Sequence, residues 1–589
     1  MKASGANLGR EGLGRASLGR WARSAGVPLL CGLGYGAAMV GASAPLSWWG
    51  LSLVAILPLA WCACRPGARP VRDGLLAAVG ATPYWFITQA WVREISEFGY
   101  YPMAALLSLL VGLFVVLLSW EKRVLPRVPC VVAGPLLWTG LEYVRGEIIV
   151  GGYAWGFVVH PLVDAPLVPE IASVGGVYLV SLLVAAMAGF VVDLIHVRAD
   201  ARKRFVREVA FVGGPLGVCT AGLAAIFAYA PQADRSVRVA AVQTNVRQSI
   251  KMDWTIGEEA RDMARFAALT REAAAHGAEL IAWPETMMPG ITLEPEALRE
   301  MRRAGLAFRD EETGTDVEAW GFAYAALELS REVGVPLLIG EEARVGFRVG
   351  EGATGRVEMT QAKRFNSVYL LEGGEISATR YDKIHLTPFG EVMPVVHRWP
   401  GLQQAVLDFG ARGMRFDLDA GRERTVFTVP VRDGNVRVVT PICFEVSDAR
   451  LCLQMVSLEG SSRDADLIVN VTNDGWFGAS KAARAQHLDL ARWRCAELRT
   501  PMLRAANTGV SALIDARGQI VRPAVDTRAS PFDSEGIVVG TLEVGPGDSL
   551  YAIVGNLTGL ATFGGAAALM VVVVVRARRA KRTAKAVAR

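Results

Sequence analysis

Apolar runs long enough to cross a bilayer constrain this chain more than any other feature. About 30 Å of hydrocarbon calls for roughly 20 residues of helix at 1.5 Å per residue. Segments of about that length lie near 27–44, 46–64, 73–92, 101–120, 129–145, 174–195, 208–230 and 552–575, the fifth being the shortest. Basic residues test the count, because loops on the cytoplasmic side collect Lys and Arg. Residues 1–23 carry Lys2, Arg10, Arg15, Arg20 and Arg23. With that end inside, alternate loops are basic: Arg65, Arg69 and Arg72, then Lys122, Arg123 and Arg127, then Arg198, Arg202, Lys203, Arg204 and Arg207. Seven spans then deliver residues 231–550 to the outside. The eighth returns the chain to Arg576, Arg578, Arg579, Lys581, Arg582 and Lys585. Another reading makes the first segment a signal peptide with a cleavage site at Ala42-Ser43-Ala44. It removes a span and upsets the alternation. A helical hairpin with the segment that follows at once is the reading adopted. The division expected is therefore 1–230, 231–550 and 551–589.

The length of 589 residues exceeds one ordinary domain, and an apolar share of 52% against 20% charged agrees with a membrane-embedded part. A net charge of +5 is small for this length and does not point to nucleic acid. Cys62 and Cys64 lie in an apolar run with no second pair nearby, which argues against zinc. Cys452 and Cys495 read as two buried thiols rather than a disulfide. No metal cluster or phosphate-binding glycine loop is evident, and no cofactor is expected.

Residues 231–550 change character. Short β-branched runs at 237–242, 280–283, 336–339, 367–371, 436–442, 467–471, 511–514 and 537–544 alternate with helical patterns near 257–275, 317–333, 449–458 and 479–498. Glycine and proline punctuate the joins, which predicts a layered α/β domain.

Three reactive side chains sit near the ends of such runs. Cys443 follows Val438-Val439-Thr440-Pro441-Ile442 and precedes Phe444 and Glu445. Glu285 follows Trp283-Pro284, and Lys383 lies in Tyr381-Asp382-Lys383-Ile384-His385. Singly, each reads as buried packing, a solvated charge or a surface lysine. Together they are the parts of thiol-dependent acyl transfer, with a base, a cation for the thiolate and oxyanion, and a nucleophile. A Cys443–His385 pairing ranks below the Lys383 assignment. Glu142 and Arg145, one turn apart at a membrane boundary, read first as a structural ion pair and second as a contact to a phospholipid headgroup or lipoprotein.

Trp283-Pro284-Glu285, the Lys383 stretch and the Cys443 stretch, in this order, resemble the nitrilase (carbon-nitrogen hydrolase) superfamily. Apolar segments on both sides narrow the resemblance to its membrane-bound branch, whose members N-acylate apolipoproteins. That resemblance implies a four-layer α-β-β-α sandwich outside the membrane. It implies Glu285 as general base, Lys383 as stabiliser of thiolate and oxyanion, and Cys443 as nucleophile, with Glu391, Phe444 and Glu445 in support. It also implies that the stretch 470–478 borders the site, so that Trp476 and Phe477 are candidate acyl-chain contacts. One departure stands out: where the family has tryptophan directly after the lysine matching Lys251, this chain has Met252, with Trp254 two residues on. Trp254 taking over that contact and Met252 filling the space are the two alternatives. The implied partners are a membrane phospholipid as acyl donor and a diacylglyceryl apolipoprotein as acceptor, in the bacterial inner membrane, by a monomer. Two alternatives stay open: a membrane-anchored carbon-nitrogen hydrolase, and a non-enzymatic lipoprotein-binding scaffold. Segments 290–310 and 473–478 are the candidate gating loops.

Overall fold

The computed structural model describes residues 8–587 apart from 198–200, 230–234, 248–253, 352–356, 389, 393–417, 458–463, 529, 546 and 548. Lys251 and Met252 thus lie outside the described residues.

All the expected apolar segments are helical, though with different bounds. Ala25–Ala42, Gly99–Val124, Val168–His196 and Leu557–Val587 are long and apolar enough to cross a membrane. The first helix begins at Leu8, well before its apolar part. The second segment is broken into Trp49–Leu51, Ser52–Ala55 and Leu57–Cys64, the last opening on Pro58. Proline has no N–H to give and fits most readily in a first turn. The fifth segment is a short helix, Cys130–Tyr143, prolonged by a wide π turn, Val144–Ile148.

Lipid supplies no hydrophobic force between helices, so close backbone contact through small residues takes its place. Gly32 meets the helix Pro70–Thr88 at Ala77, and Gly80 of that helix meets Leu29. Gly74 and Gly112 do the same between Pro70–Thr88 and Glu97–Val124. A methyl group at any of the four would strike the opposite backbone. The first basic loop is tied to the same bundle: Arg65, Arg72 and the Arg69 N–H converge on Asp73 at 2.8, 2.7 and 2.8 Å. A carboxylate in the first helical turn also faces the positive end of the helix dipole.

The polar half is an α-β-β-α sandwich. Its first sheet runs in the order Val525–Asp526, Gly536–Val544, Arg235–Gln243, Leu280–Ala282, Leu337–Val345, Lys363–Glu372 and Glu375–Asp382. The second runs Phe427–Val431, Gly434–Val439, Leu467–Thr472, Met502–Ala506, Ala512–Ile514 and Ile520–Val521. Both sheets have parallel centres. Strands covered on both faces read as continuous apolar runs, which is why 237–242 and 467–471 were legible. Val237, Val239 and Ala241 join the core shared with the second sheet, while Ala240 and Val242 pack under the helices Ile256–Ala275 and Gly321–Val333. On the far side Ala449–Val456 and Lys481–Leu498 cover the second sheet. Helix Ile256–Ala275 starts at a reciprocal cap, with the Glu258 N–H donating to Thr255 Oγ1 and the Thr255 N–H donating to Glu258 Oε2.

Segment 290–310, expected as a loop, holds the helix Pro295–Ala304 and the strand Ala307–Arg309. The helix has few apolar residues, Ala297, Leu298 and Met301, and these three are its buried face. Cys452 and Cys495 are free and buried.

Candidate active site

The two parallel centres bring Glu285 and Cys443 together, and Lys383 joins them just past the edge strand Glu375–Asp382, which pairs antiparallel with Lys363–Glu372. Glu285 leaves the strand Leu280–Ala282 three residues past its end, and Thr286 after it has φ 47°. Cys443 follows Gly434–Val439 and opens the turn Cys443–Ser447 with φ 49°. Non-glycine residues seldom hold that left-handed conformation, and its cost is met where surrounding structure over-determines it.

Glu445 helps to over-determine it. Its carboxylate is fully buried and accepts from four donors. The Ile442 N–H donates to Oε2 at 2.7 Å, and the Ile384 and His385 N–H groups donate to Oε1 at 2.7 and 2.9 Å. Tyr381 Oη donates at 2.9 Å. One carboxylate thus ties the nucleophile turn to the loop that carries Lys383. Burial raises its pKa, opposed by Lys383.

Lys383 Nζ lies 3.4 Å from Glu285 Oε1, 2.8 Å from Glu391 Oε2 and 3.3 Å from Thr387 Oγ1. Burial pulls the ammonium pKa down, but Glu391, Glu285 and Cys443 together outweigh it and move it up. The two carboxylates thus favour its charged form. Glu391 feels burial upward and Lys383 downward, with a net depression. Asn366 Nδ2 donates to Glu285 Oε1 at 2.7 Å and to Glu391 Oε1 at 2.9 Å, and the Asn473 N–H donates to Glu285 Oε2 at 2.8 Å. The Cys443 thiol has its pKa raised well above the ordinary value, first by burial and then by Glu285, with Lys383 opposing. At rest it holds its proton.

The strand Leu337–Val345 passes so close behind Glu285 that a methyl on Gly340 would sit 2.5 Å from Pro284 O and 2.8 Å from Glu285 Cα. Overpacking of this kind costs about 1–3 kcal/mol. Gly340→Ala should therefore push the carboxylate out of line and cut turnover by about 10- to 100-fold, with KM changed far less, as steady-state kinetics would show.

His385 faces Asp448, Nδ1 to Oδ2 at 2.9 Å, and meets Phe444 edge-on. Burial lowers its pKa, but the bond to Asp448 and that residue's charge raise it on balance. Burial alone would raise Asp448, and His385 holds it down. A raised histidine adds stability that is complete below its unfolded value, about 6.5, and is lost as pH climbs through the folded value. The wild type should therefore exceed His385→Gln in melting temperature at pH 6 and lose that margin by pH 9, as thermal scans would show.

The other expected residues fall in two places. Phe477 is buried among Trp91, Trp155 and His487, with ring centroids 4.8, 5.6 and 5.4 Å away, and Trp476 beside it is half-buried. The stretch 474–477 is a short helical turn anchored by buried Asp474. Glu142 and Arg145 are both buried in the membrane half but make no ion pair with each other among the described residues. Glu142 accepts the Val158 N–H at 2.9 Å. Arg145 donates to Gly156 O and lies over the rings of Trp85 and Phe157, 5.2 and 4.8 Å from their centroids. Both line a small cavity with Tyr35, Trp85 and Trp138. Trp254 donates to Asp262 on the helix it precedes and packs with the outer helical layer. Sequence reasoning missed Asn366, Tyr381 and Arg504, polar residues within strands whose partners are distant in the chain.

Comparison with known proteins gives the class first. The carbon-nitrogen hydrolase family model matches residues 238–545, and the chain belongs to that family. The model of the apolipoprotein N-acyltransferase N-terminal domain matches residues 35–190. Apolipoprotein N-acyltransferase of Geobacter metallireducens is 29% identical over 534 residues, covering 87% of this chain and 90% of the relative. Those of Vibrio cholerae and Bordetella bronchiseptica are each 26% identical, covering 82% and 94% of this chain and 85% and 97% of theirs. Within its family the chain is thus of the apolipoprotein N-acyltransferase branch. Among solved structures, an amidase from Nesterenkonia sp. matches at 14% identity and TM-score 0.32, over 53% of this chain and 92% of that one, too low a score to weigh.

Proposed function

We propose that this chain transfers an acyl group from a membrane phospholipid to the N-terminal diacylglyceryl-cysteine of apolipoproteins, through a thioester on Cys443. The observation that carries the reading is the buried Glu285–Lys383–Glu391 set, with ammonium–carboxylate distances of 3.4 and 2.8 Å, beside a thiol held in a strained turn. A scaffold needs none of these buried charges, and buried charges are costly unless paired and used.

Because the thiol rests protonated, attack is coupled to loss of its proton. Glu285 takes the proton as sulfur bonds to the ester carbonyl carbon, and the Lys383 ammonium faces the developing oxyanion. The carbon–oxygen bond breaks, Glu285 returns the proton to the leaving alcohol, and a lysophospholipid departs. The α-amine of the diacylglyceryl-cysteine then attacks the thioester. Glu285 takes the amine's proton, an amide forms, and sulfur leaves to regain the proton as thiol. Two easier steps replace one hard one. Glu391 and Asn366 hold Lys383 and Glu285 in place, and Glu445 and Phe444 shape the turn. Trp476 and Phe477 are the residues proposed to border the acyl chain, and Glu142 and Arg145 to sit near the lipid-side approach. For Trp254 a structural role at its helix start is the stronger reading.

Eight spans, with residues 231–550 on the periplasmic side of the bacterial inner membrane between bundles 1–230 and 551–589, complete the proposal. Each protein acts as a monomer. The alternation of basic loops supports the sidedness. The test supplies a phospholipid and a diacylglyceryl-cysteine peptide to purified protein in lipid. The expected result is N-acylated peptide with an equal amount of lysophospholipid. Free fatty acid with unmodified peptide would instead make the chain a hydrolase.

A further inference from the structure

Helix Lys481–Leu498 touches both halves of the molecule, and it does so at residues that also hold the nucleophile turn. On its membrane side, Trp155 stacks on the His487 ring at 5.6 Å and 28°, and its Nε1 donates to Gln486 Oε1 at 2.7 Å. Trp493 Nε1 donates to His160 O at 3.1 Å. The helix Val168–His196 is broken at Gly175 and Gly176, and Glu497 Oε1 accepts the Val177 N–H at 2.8 Å just past the break. Such a break leaves N–H groups without helical carbonyls, and the catalytic half supplies the acceptor.

On its other side the same helix holds both ends of the turn Cys443–Ser447. His487 Nε2 lies 3.3 Å from Cys443 O, and Arg494 Nη1 donates to Ser447 O at 3.3 Å while its Nη2 pairs with Glu497 at 2.7 Å. Both ring nitrogens face oxygen acceptors: Nε2 the Cys443 carbonyl, and Nδ1 the Asp474 Oδ1 at 2.9 Å. Arg504 Nη2 lies 3.0 Å from Nδ1 and itself pairs with Asp474 at 2.9 Å. Burial first, then Arg504, hold the His487 pKa down, with Asp474 opposing. Arg504 further donates to Asn470 Oδ1. The ring is thus held from behind by Asp474 and Arg504, with Nε2 facing the Cys443 carbonyl.

We propose that His487 and Arg494 are positioning residues through which docking of the membrane half, by Trp155 and Val177, sets the backbone of Cys443. The left-handed φ of Cys443 is what they maintain. Without them the residue relaxes toward extended backbone and its sulfur swings away from Lys383 and Glu285. The inference rests on Cys443 as the reactive thiol of the proposed function.

The test measures alkylation of Cys443 by iodoacetamide in full-length protein in lipid nanodiscs, read by peptide mass, beside acyl-adduct formation with phospholipid. His487→Leu should slow both by about tenfold or more, and His487→Gln, whose amide N–H reaches the same carbonyl, should restore most of each rate. His487 is buried in a charged network, so its leucine variant is exposed to misfolding. Trp155→Leu, which leaves that network whole, should also slow both rates about tenfold, and Trp155→Phe about twofold. Folded Trp155→Leu alkylated at the wild-type rate, or His487→Gln as slow as His487→Leu, would overturn the inference. If the wild type forms no acyl adduct while alkylation still depends on Trp155 and His487, the functional reading falls and the positioning stands. An adduct formed alike by all variants would do the reverse.

Discussion

Cys443→Ala should fold like the wild type and transfer acyl groups at least about 10⁴-fold more slowly, because nothing else at the site replaces the sulfur nucleophile. The side chain is buried and small, so its removal leaves a modest void. Its backbone hydrogen bonds, Cys443 O to His487 and the neighbouring Ile442 N–H to Glu445, do not depend on the thiol. Melting temperature should fall by a few degrees at most, equivalent to about 1 kcal/mol. Turnover and thermal unfolding measured on one preparation separate lost chemistry from lost fold. A variant that loses both together would mean that the thiol is chiefly a packing group.

Lys383→Met should be worse in a different way. The lysine is fully buried, and its ammonium is the shared counter-charge of Glu285 and Glu391. Removing one member of a buried ionic group typically costs about 3–5 kcal/mol, because the other charges stay behind unpaired. The two carboxylates would then compete to stay ionised, and one would take up a proton. Activity should drop by about 10³-fold or more through loss of oxyanion stabilisation. The double variant Lys383→Met, Glu391→Gln should recover much of the stability and none of the activity. Urea unfolding of the three proteins, compared with their turnover, measures that split.

The chemistry was legible in the chain because Glu285 and Cys443 each follow a β-rich run whose strand lies in a parallel centre, while Lys383 follows the edge strand Glu375–Asp382, which no apolar run announced. The second tier was not. Arg504 sits in Met502–Ala506, where a charge at the centre argues against a buried strand. It is tolerated because Asp474 and Asn470 meet it there, and no local pattern announces partners so far away. Gly340 looks like any strand glycine until the backbone of Glu285 is seen behind it. Glu142 and Arg145 are spaced for an ion pair, yet Arg145 turns to aromatic faces and a carbonyl instead, because the chain after Tyr143 widens into a π turn. Apolar length exposed the membrane half at once. The bounds of its helices, set by Pro58, by the Gly175–Gly176 break and by the early start at Leu8, follow from packing and backbone chemistry that hydrophobicity does not encode.

The most direct measurement is the intact mass of the full chain after incubation with a phospholipid of defined acyl composition, with no acceptor present. The wild type should gain the mass of one fatty acid less water. The adduct should be absent from Cys443→Ala, released by neutral hydroxylamine as a thioester is, and discharged onto a diacylglyceryl-cysteine peptide added afterwards. Folded, lipid-bound wild type that stays at its unmodified mass, while N-acylated peptide still accumulates when donor and acceptor are present together, would contradict a covalent intermediate on Cys443.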